Sequence, residues 1–314
     1  MKLASIDIGT NTVRLLIADA DKSGNMSDII LKREITRLGG GFDGGRLHLE
    51  SKKRTIDALA GFAGIIEGQN VCTVRCAATS AMREAADGQE FIDEIRRKTG
   101  LAVDVISGDL EASLTLKGVL SQLDRAANKA LVFDIGGGST EYIISENKKV
   151  LGQISLNMGV VSLTEGCLKS DPPSEADISR IAAKVEGFLL ALKEEMPSLN
   201  DLHGECGSIL VGTAGTITTL AAMDQGLHVY DSRKINNYRL SKAAVRRLLK
   251  GFIAMTHRER AAMPGIEEGR ADLIIAGTII VLSTMEDFGF HEMVVSDYGL
   301  LEGLLLDLAE GEVF

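Results

Sequence analysis

Two segments of the chain match each other without a gap. LASIDIGTNTVRLLIAD, residues 3–19, falls on ALVFDIGGGSTEYIISE, residues 130–146. Asp7 aligns with Asp134, Ile8 with Ile135, Gly9 with Gly136 and Thr12 with Ser139. Arg14 aligns with Glu141, so the two copies agree in shape and differ in charge. Each reads as a strand, a tight glycine turn and a second strand. Glycine lets the backbone approach a ligand closely, and hydroxyls with turn N–H groups can bind phosphate oxygens. Two such turns, each opening a domain-sized segment, predict a duplicated fold with a cleft between the halves.

Strands and helices alternate along the remainder. The apolar spacing Ile56, Leu59, Ala60, Ala63, Ile66 predicts a helix over 51–68. Residues 71–78 and 103–107 read as strands, and 91–98 and 111–123 as helices. In the second half, a helix is expected over 175–195, between Pro172-Pro173 and Pro197. A strand at 208–212 runs into the turn and helix of GTAGTITTLAAM. Helices follow at 241–255 and 269–285, then a strand at 293–296 and a last helix from 300. The domain break is expected near 123–129, giving domains 1–125 and 126–299, with the segment 300–314 crossing back to the first. Gly299 and Gly303 are either hinge points or close-packing positions.

Composition narrows the function. Of 314 residues, 45% are hydrophobic and 25% charged, as in an ordinary globular protein, and no apolar run reaches the length of a membrane span. The longest, 273–285, has 13 residues. Asp7 interrupts the first apolar stretch, so no signal peptide is expected, and the chain reads as cytoplasmic. A net charge of −10 argues against a general nucleic-acid binder. It also means that a polyanionic substrate must be met by a local cluster of cations and N–H groups. The cysteines (Cys72, Cys76, Cys167, Cys206) form no CxxC pair and are expected to be buried free thiols. His48, His203, His228, His257 and His291 sit in no catalytic pattern.

Eight segments together resemble one family. They are DIGTNTVRLLI (7–17), TRLGGGFDGGRL (36–47), ATSAMREA (78–85), ISGDLEASL (106–114), DIGGGSTEY (134–142), MGVVSLTE (158–165), GTAGTITTLAA (212–222) and VSDYGLLEG (295–303). In this order they resemble the exopolyphosphatase / guanosine pentaphosphate phosphatase (Ppx/GppA) family, within the actin-like, sugar kinase and heat-shock chaperone ATPase superfamily. The resemblance covers nearly the whole chain. It implies an α/β, ribonuclease H-like (actin-like) duplicated fold. It also implies a phosphoanhydride hydrolase that removes terminal phosphate from inorganic polyphosphate, or the 5′ γ-phosphate from guanosine pentaphosphate, with Mg²⁺ and water.

The residues agree with that chemistry. Phosphoanhydride hydrolysis needs charge neutralisation, an aligned water and a group to take its proton. Gly136, Gly137, Gly138, Ser139 and Thr140 form one phosphate loop; Thr10, Asn11, Thr12 and Arg14 form the other. Asp134, Glu141 and Asp7 are hard carboxylates suited to Mg²⁺, with K⁺ as a second candidate cation. Glu141 could otherwise be an exposed strand carboxylate. Glu111 opens an apolar helix, where a carboxylate also serves as a dipole contact or cap. The resemblance assigns the glutamate before Ala112 as the base that activates water, so Glu111 is the expected catalytic base. Relatives often carry a second glutamate just before it; here that residue is Leu110, with Asp109 preceding, which alters the metal or water network. Arg14 and Arg83 are the expected substrate cations, since a guanidinium can grip phosphate bidentately. Arg270 is a weaker candidate.

The loop of Gly212, Thr213, Gly215 and Thr216 opens a helix. In nucleotide-binding relatives its equivalent approaches adenosine. Here it holds a nucleotide, holds a further phosphate through the helix N-terminus, or is a close-packed structural turn. Longer relatives carry a C-terminal helical extension absent here, so weaker processivity on long chains and better handling of short chains or pentaphosphate are expected. A kinase or chaperone ATPase would need an acceptor or client module. A non-catalytic sensor of guanosine tetra- or pentaphosphate would not need Glu111 and Glu141 together. The expected partners are thus polyphosphate or guanosine pentaphosphate, with neither nucleic acid nor membrane, and a homodimer is compatible with such folds.

Overall fold

The protein is described here by a computed structural model covering residues 1–21, 26–40, 45–124, 128–202, 207–266 and 269–311, without the side chains of Asp28, Asn200 and Asp201. The middle of the TRLGGGFDGGRL segment (41–44), part of the expected boundary (125–127), His203, Cys206 and residues 312–314 lie outside the described residues. Two compact units are formed, one of Met1–Gln122 with Tyr298–Phe314, the other of Leu123–Asp297.

In the first unit, β1 (Lys2–Ile8) and β2 (Thr12–Ala20) form the hairpin around Gly9, and β3 (Met26–Ile35) extends it. Helix α1 (Leu49–Gly68) leads to β4 (Thr73–Ala78), the short α2 (Ser80–Glu84), α3 (Gly88–Thr99), β5 (Val103–Val105) and α4 (Gly108–Ser121). The sheet runs β3-β2-β1-β4-β5, with β4 parallel to β1 and β5 parallel to β4. A central strand covered on both faces is apolar throughout rather than alternating. β1 fits, with residues 3–8 all buried: Ala4, Ile6 and Ile8 join Leu59, Phe62, Phe91 and Ile95 on one face.

The second unit repeats the pattern. β6 (Lys129–Ile135), β7 (Thr140–Glu146) and β8 (Lys149–Leu156) form the antiparallel part. Then come α5 (Val160–Cys167), α6 (Glu175–Glu195), a 3₁₀ turn (Pro197–Leu202), β9 (Ser208–Thr213) and α7 (Gly215–Asp224). After these lie α8 (Ser232–Ile235), β10 (Arg239–Ser241), α9 (Lys242–Ile253), α10 (His257–Ala261), α11 (Ile274–Asp287) and β11 (Glu292–Val295). The sheet order is β10-β11-β9-β6-β7-β8. Apart from the added edge strand β10, this is the first sheet's order, so the fold is α/β and duplicated. Ser174 and Asp177 close a capping box that starts α6 where the sequence expects it.

The last helix, α12 (Leu300–Glu310), belongs to the first unit. Leu301, Leu305 and Ala309 pack on Leu3, Leu16 and Ala18, while Leu300 and Leu304 join Ala77, Ile106 and Leu114. Its approach to α4 is close. A Cβ on Gly303 would lie 1.9 Å from the Leu114 carbonyl oxygen, and one on Gly118 would lie 2.0 Å from that of Gly299. For Gly303, close packing is the reading the geometry supports, and Gly118 opposite it is a packing glycine too. Buried Asp307 pairs with Arg75 of β4 and with Lys117 of α4 at 3.1 Å, fixing the same contact electrostatically.

Some expectations change. β3, β8 and α5 lie in segments with no assigned element. α11 starts at Ile274, not 269: Gly269 takes φ +76°, and Arg270 precedes the helix, its carbonyl accepting from the N–H groups of Leu273 and Ile274. Cys72, expected to be buried, is exposed just ahead of β4; Cys76 and Cys167 are buried and all three thiols are free. Among the described residues no helix is long and apolar enough to cross a membrane.

Candidate active site

The two glycine turns close with the same hydrogen bond. Gly9 N–H donates to the Thr12 carbonyl at 3.1 Å, and Gly136 N–H to that of Ser139 at 2.9 Å. In each case the following chain segment binds the turn's carbonyls. The Thr10 carbonyl accepts from Gly39, and that of Asn11 from Thr36 and Arg37. The Gly136 and Gly137 carbonyls accept from Val160 and Val161, at the start of α5. The carbonyls of both turns are thus bound from behind by a later chain segment. This gives TRLGG and MGVVSLTE a physical role the sequence left unassigned. Gly159 has no alternative residue: a Cβ there would lie 2.1 Å from the Gly137 carbonyl oxygen. Thr140 is fully buried and its hydroxyl donates to the Met158 carbonyl, so it braces the loop instead of offering that donor to phosphate.

One strand residue before and one after each turn face each other. In the first unit they are Asp7 and Arg14. Arg14 donates from Nε and Nη2 to Asp7 Oδ2 at 2.9 and 2.6 Å. Thus Arg14 is anchored by Asp7 and half-exposed, and Asp7 has one oxygen already engaged. Its other oxygen, Oδ1, is buried with no hydrogen-bond partner among the described residues, as is Asn11 Oδ1. Orphaned buried oxygens are costly unless something fills their need. Cys76 lies nearby; burial, then the charges of Asp7 and Asp104, push its thiol far up, so it stays neutral.

In the second unit the facing residues are Asp134 and Glu141. Glu141 is only 2% exposed and accepts a 2.7 Å hydrogen bond from Ser155 of β8, directly opposite it. Two carboxylates facing each other across a ladder repel. A hard cation relieves that repulsion, so the donor set fits Mg²⁺. Among the described residues no group of three or more His, Cys, Asp or Glu is gathered for a metal. An Mg²⁺ here would take its remaining ligands from waters and phosphate oxygens, its usual habit.

Glu111 and Arg83 are brought together. Ser107 caps α4, its hydroxyl accepting from the Leu110 N–H at 3.2 Å, so Glu111 is not needed as the cap. Glu111 follows in the first turn, 8% exposed. Arg83, in the last turn of α2, donates from Nη1 to Glu111 Oε2 and to the Ile106 carbonyl, both at 3.0 Å. Glu111 is thus a nearly buried carboxylate held beside a half-buried guanidinium. Leu110 instead packs partly against Ala77, Ile106 and Leu114, which accounts for an apolar residue there.

The GTAGT segment divides into two roles. Gly212 lies in β9 with Ile217, Met293 and Phe133 where a Cβ would sit, so it is a packing glycine, and Thr213 ends the strand. Ala214 then adopts φ +74°, ψ 176°, a strained backbone for a residue with a Cβ. A Cβ on Gly215 would lie 1.8 Å from Arg270 Nη1, so the weak candidate Arg270 is placed on this loop. Thr216 is buried against Gly277 of α11. Three participants carried no sequence signal strong enough to single them out: Ser155, Gly159 and Arg37. Arg37 is exposed beside the first turn, with φ +49°.

Comparison with known proteins agrees with the geometry. The family model described as "Ppx/GppA phosphatase family" matches residues 16–312. Exopolyphosphatase 2 of Mycobacterium tuberculosis is 35% identical, the match covering 98% of each chain. The guanosine-5'-triphosphate,3'-diphosphate pyrophosphatase of Vibrio cholerae is 28% identical over 98% of this chain and 59% of its own. The crystal structure of the Aquifex aeolicus Ppx/GppA member superposes with a TM-score of 0.81 at 35% identity, covering 100% of this chain and 99% of that one. With both glycine turns, the paired Arg83 and Glu111 and this near-complete match in hand, the chain belongs to the Ppx/GppA phosphatase family.

Proposed function

We propose that the protein is an exopolyphosphatase, hydrolysing the terminal phosphoanhydride bond of inorganic polyphosphate. The observation that carries this reading is Glu111, nearly buried in the first turn of α4 and held by Arg83. Glu111 takes the proton of the attacking water, whose oxygen forms the new bond to the terminal phosphorus while the bridging oxygen leaves with the rest of the chain. Arg83 balances the charge that grows on the transferred group. Thr10, Asn11 and Thr12 of the first unit and Gly136–Ser139 of the second are the proposed phosphate-binding turns. Asp134 and Glu141 would hold Mg²⁺ in the second unit, and Asp7, whose Oδ1 has no hydrogen-bond partner among the described residues, is the first unit's own candidate oxygen donor. The ion would supply charge neutralisation and an ordered hydration shell at the phosphate oxygens. A cytoplasmic setting suits the three free thiols.

A second reading is hydrolysis of guanosine pentaphosphate at its 5′ end, favoured by the similarity to the Vibrio cholerae protein over 98% of this chain. Phosphate release from each substrate at matched concentration decides between them. A kcat/KM for polyphosphate at least tenfold above that for guanosine pentaphosphate is the expected result, and the reverse ratio would transfer the assignment to the nucleotide. Release from neither, with tight guanosine tetraphosphate binding, would instead identify a non-catalytic sensor.

A further inference from the structure

From Ser232 to Lys250 the chain has seven Lys and Arg and no Asp or Glu, within a protein whose net charge is −10. This stretch forms α8, β10 and α9. At about 100° per residue, α9 places Ala244, Val245, Leu248, Leu249 and Phe252 on one arc, packed against the core of the second unit. Lys242, Arg246, Lys250 and Arg247 occupy the opposite arc. Lys242, Arg246 and Lys250 follow at four-residue intervals, an arrangement in which like charges repel and weaken the helix.

The cations divide by partner. Arg233, Arg239, Arg246 and Arg247 form ion pairs with Asp231, Glu292, Glu286 and Asp224. Lys234, Lys242 and Lys250 have no ion pair among the described residues. The arginines are therefore tied down, whereas the lysines keep their charge for something else. They are point charges on flexible stems, suited to an anion that slides rather than one gripped in a fixed fork. Base stacking has no platform in this stretch: Phe252 is buried, and Tyr238 is partly buried with its hydroxyl on Asp224. Single-stranded nucleic acid is normally held by exposed aromatics as well as by charge. The strip also begins near the proposed site. Arg239 pairs with Val294, Val294 with Val211 and Val211 with Val132, two residues before Asp134. Three strand spacings put it about 14 Å along the sheet from β6.

We propose that the cationic face of α8, β10 and α9 is an exosite for the part of a polyphosphate chain beyond its hydrolysed end. The choice of ligand rests on the proposed exopolyphosphatase reading, and the strip supplies a local positive field within a chain of net charge −10. It predicts a preference for long chains over short ones, opposite to the expectation from chain length alone.

The test compares wild type with a Lys234→Gln/Lys242→Gln/Lys250→Gln protein and with a control carrying Arg at the same three positions. Binding of end-labelled long-chain polyphosphate is measured across a KCl series, alongside KM for long-chain polyphosphate and for tripolyphosphate. The expected result in the Gln protein is affinity for long chains about tenfold weaker and a log–log salt slope smaller by about two, with tripolyphosphate unchanged and the Arg control like wild type. Unchanged long-chain binding in the Gln protein would overturn the proposal. So would single-stranded DNA of equal charge competing as strongly as polyphosphate. Should wild type release no phosphate, the hydrolase reading fails by itself, and the binding series still decides the exosite.

Discussion

Gly303 of α12 lies against the backbone of Leu114 in α4, with no space for a side chain: a Cβ would sit 1.9 Å from the Leu114 carbonyl oxygen. Leu114 is three residues beyond Glu111, so the C-terminal helix sets the position of the helix that carries the proposed base. The obstacle is backbone, which cannot swing aside. Gly303→Ala should push α4 away, destabilising the protein by about 1–3 kcal/mol, as overpacking usually does. It should also lower kcat more than it raises KM, although Gly303 touches no substrate. Thermal unfolding together with steady-state kinetics on polyphosphate checks both; a variant that loses stability but keeps full kcat would detach α12 from catalysis.

Ser155 holds Glu141 from the neighbouring strand. If Glu141 binds Mg²⁺, removing that hydroxyl loosens the carboxylate without removing its charge. Ser155→Ala is expected to raise the half-saturating Mg²⁺ concentration about tenfold, with Ser155→Thr close to wild type. A Mg²⁺ titration of activity reads this directly, and an unshifted half-saturation would take Glu141 out of the metal site.

Arg83 bonds both Glu111 and the Ile106 carbonyl through a single Nη1. A Lys ammonium offers one compact charge without the further N–H groups that a guanidinium can present to phosphate while Nη1 holds both acceptors. Arg83→Lys and Arg83→Ala should both lower kcat, by about 10²–10³-fold for Ala. Full activity in the Lys protein would mean that Arg83 contributes charge alone.

Asp87 gives a pH dependence with a defined sign. Burial alone would raise its pKa, but hydrogen bonds from the Lys52 ammonium and the Leu47 N–H outweigh burial and hold it below the usual 3.8. The folded protein therefore prefers the ionised form. Its contribution is fully present above the unfolded value and is lost as pH falls through the lower folded value. Asp87→Asn should lower urea stability by a constant amount above about pH 5, with the gap to wild type closing below about pH 4. A gap that does not change with pH would assign the effect to packing.

What was legible in the sequence follows from how local its cause is. The two DIG turns could be read because a tight turn needs glycine at that place, and both hairpins formed as expected. α6 could be read because Ser174, Asp177 and the flanking prolines mark its ends. β3 and β8 could not. Both are edge strands paired on one side only, and β3 carries Lys32, Arg33 and Glu34 where alternation would want apolar residues. α5 has eight residues, and its start is set by hydrogen bonds to Gly136 and Gly137, which no local pattern announces. The same limit hid Ser155, whose role exists only because β8 aligns it with Glu141, and left Arg270 a weak candidate until Gly215 placed it.

The most direct test of the account is phosphate release from polyphosphate by wild type and Glu111→Gln, with and without Mg²⁺, alongside polyphosphate affinity. Gln keeps the shape and the contact surface but cannot take a proton. The account predicts Mg²⁺-dependent release in wild type, a kcat about 10²–10⁴-fold lower in Glu111→Gln, and affinity within a factor of three. A Glu111→Gln protein that turns over at more than a tenth of the wild-type rate would contradict it.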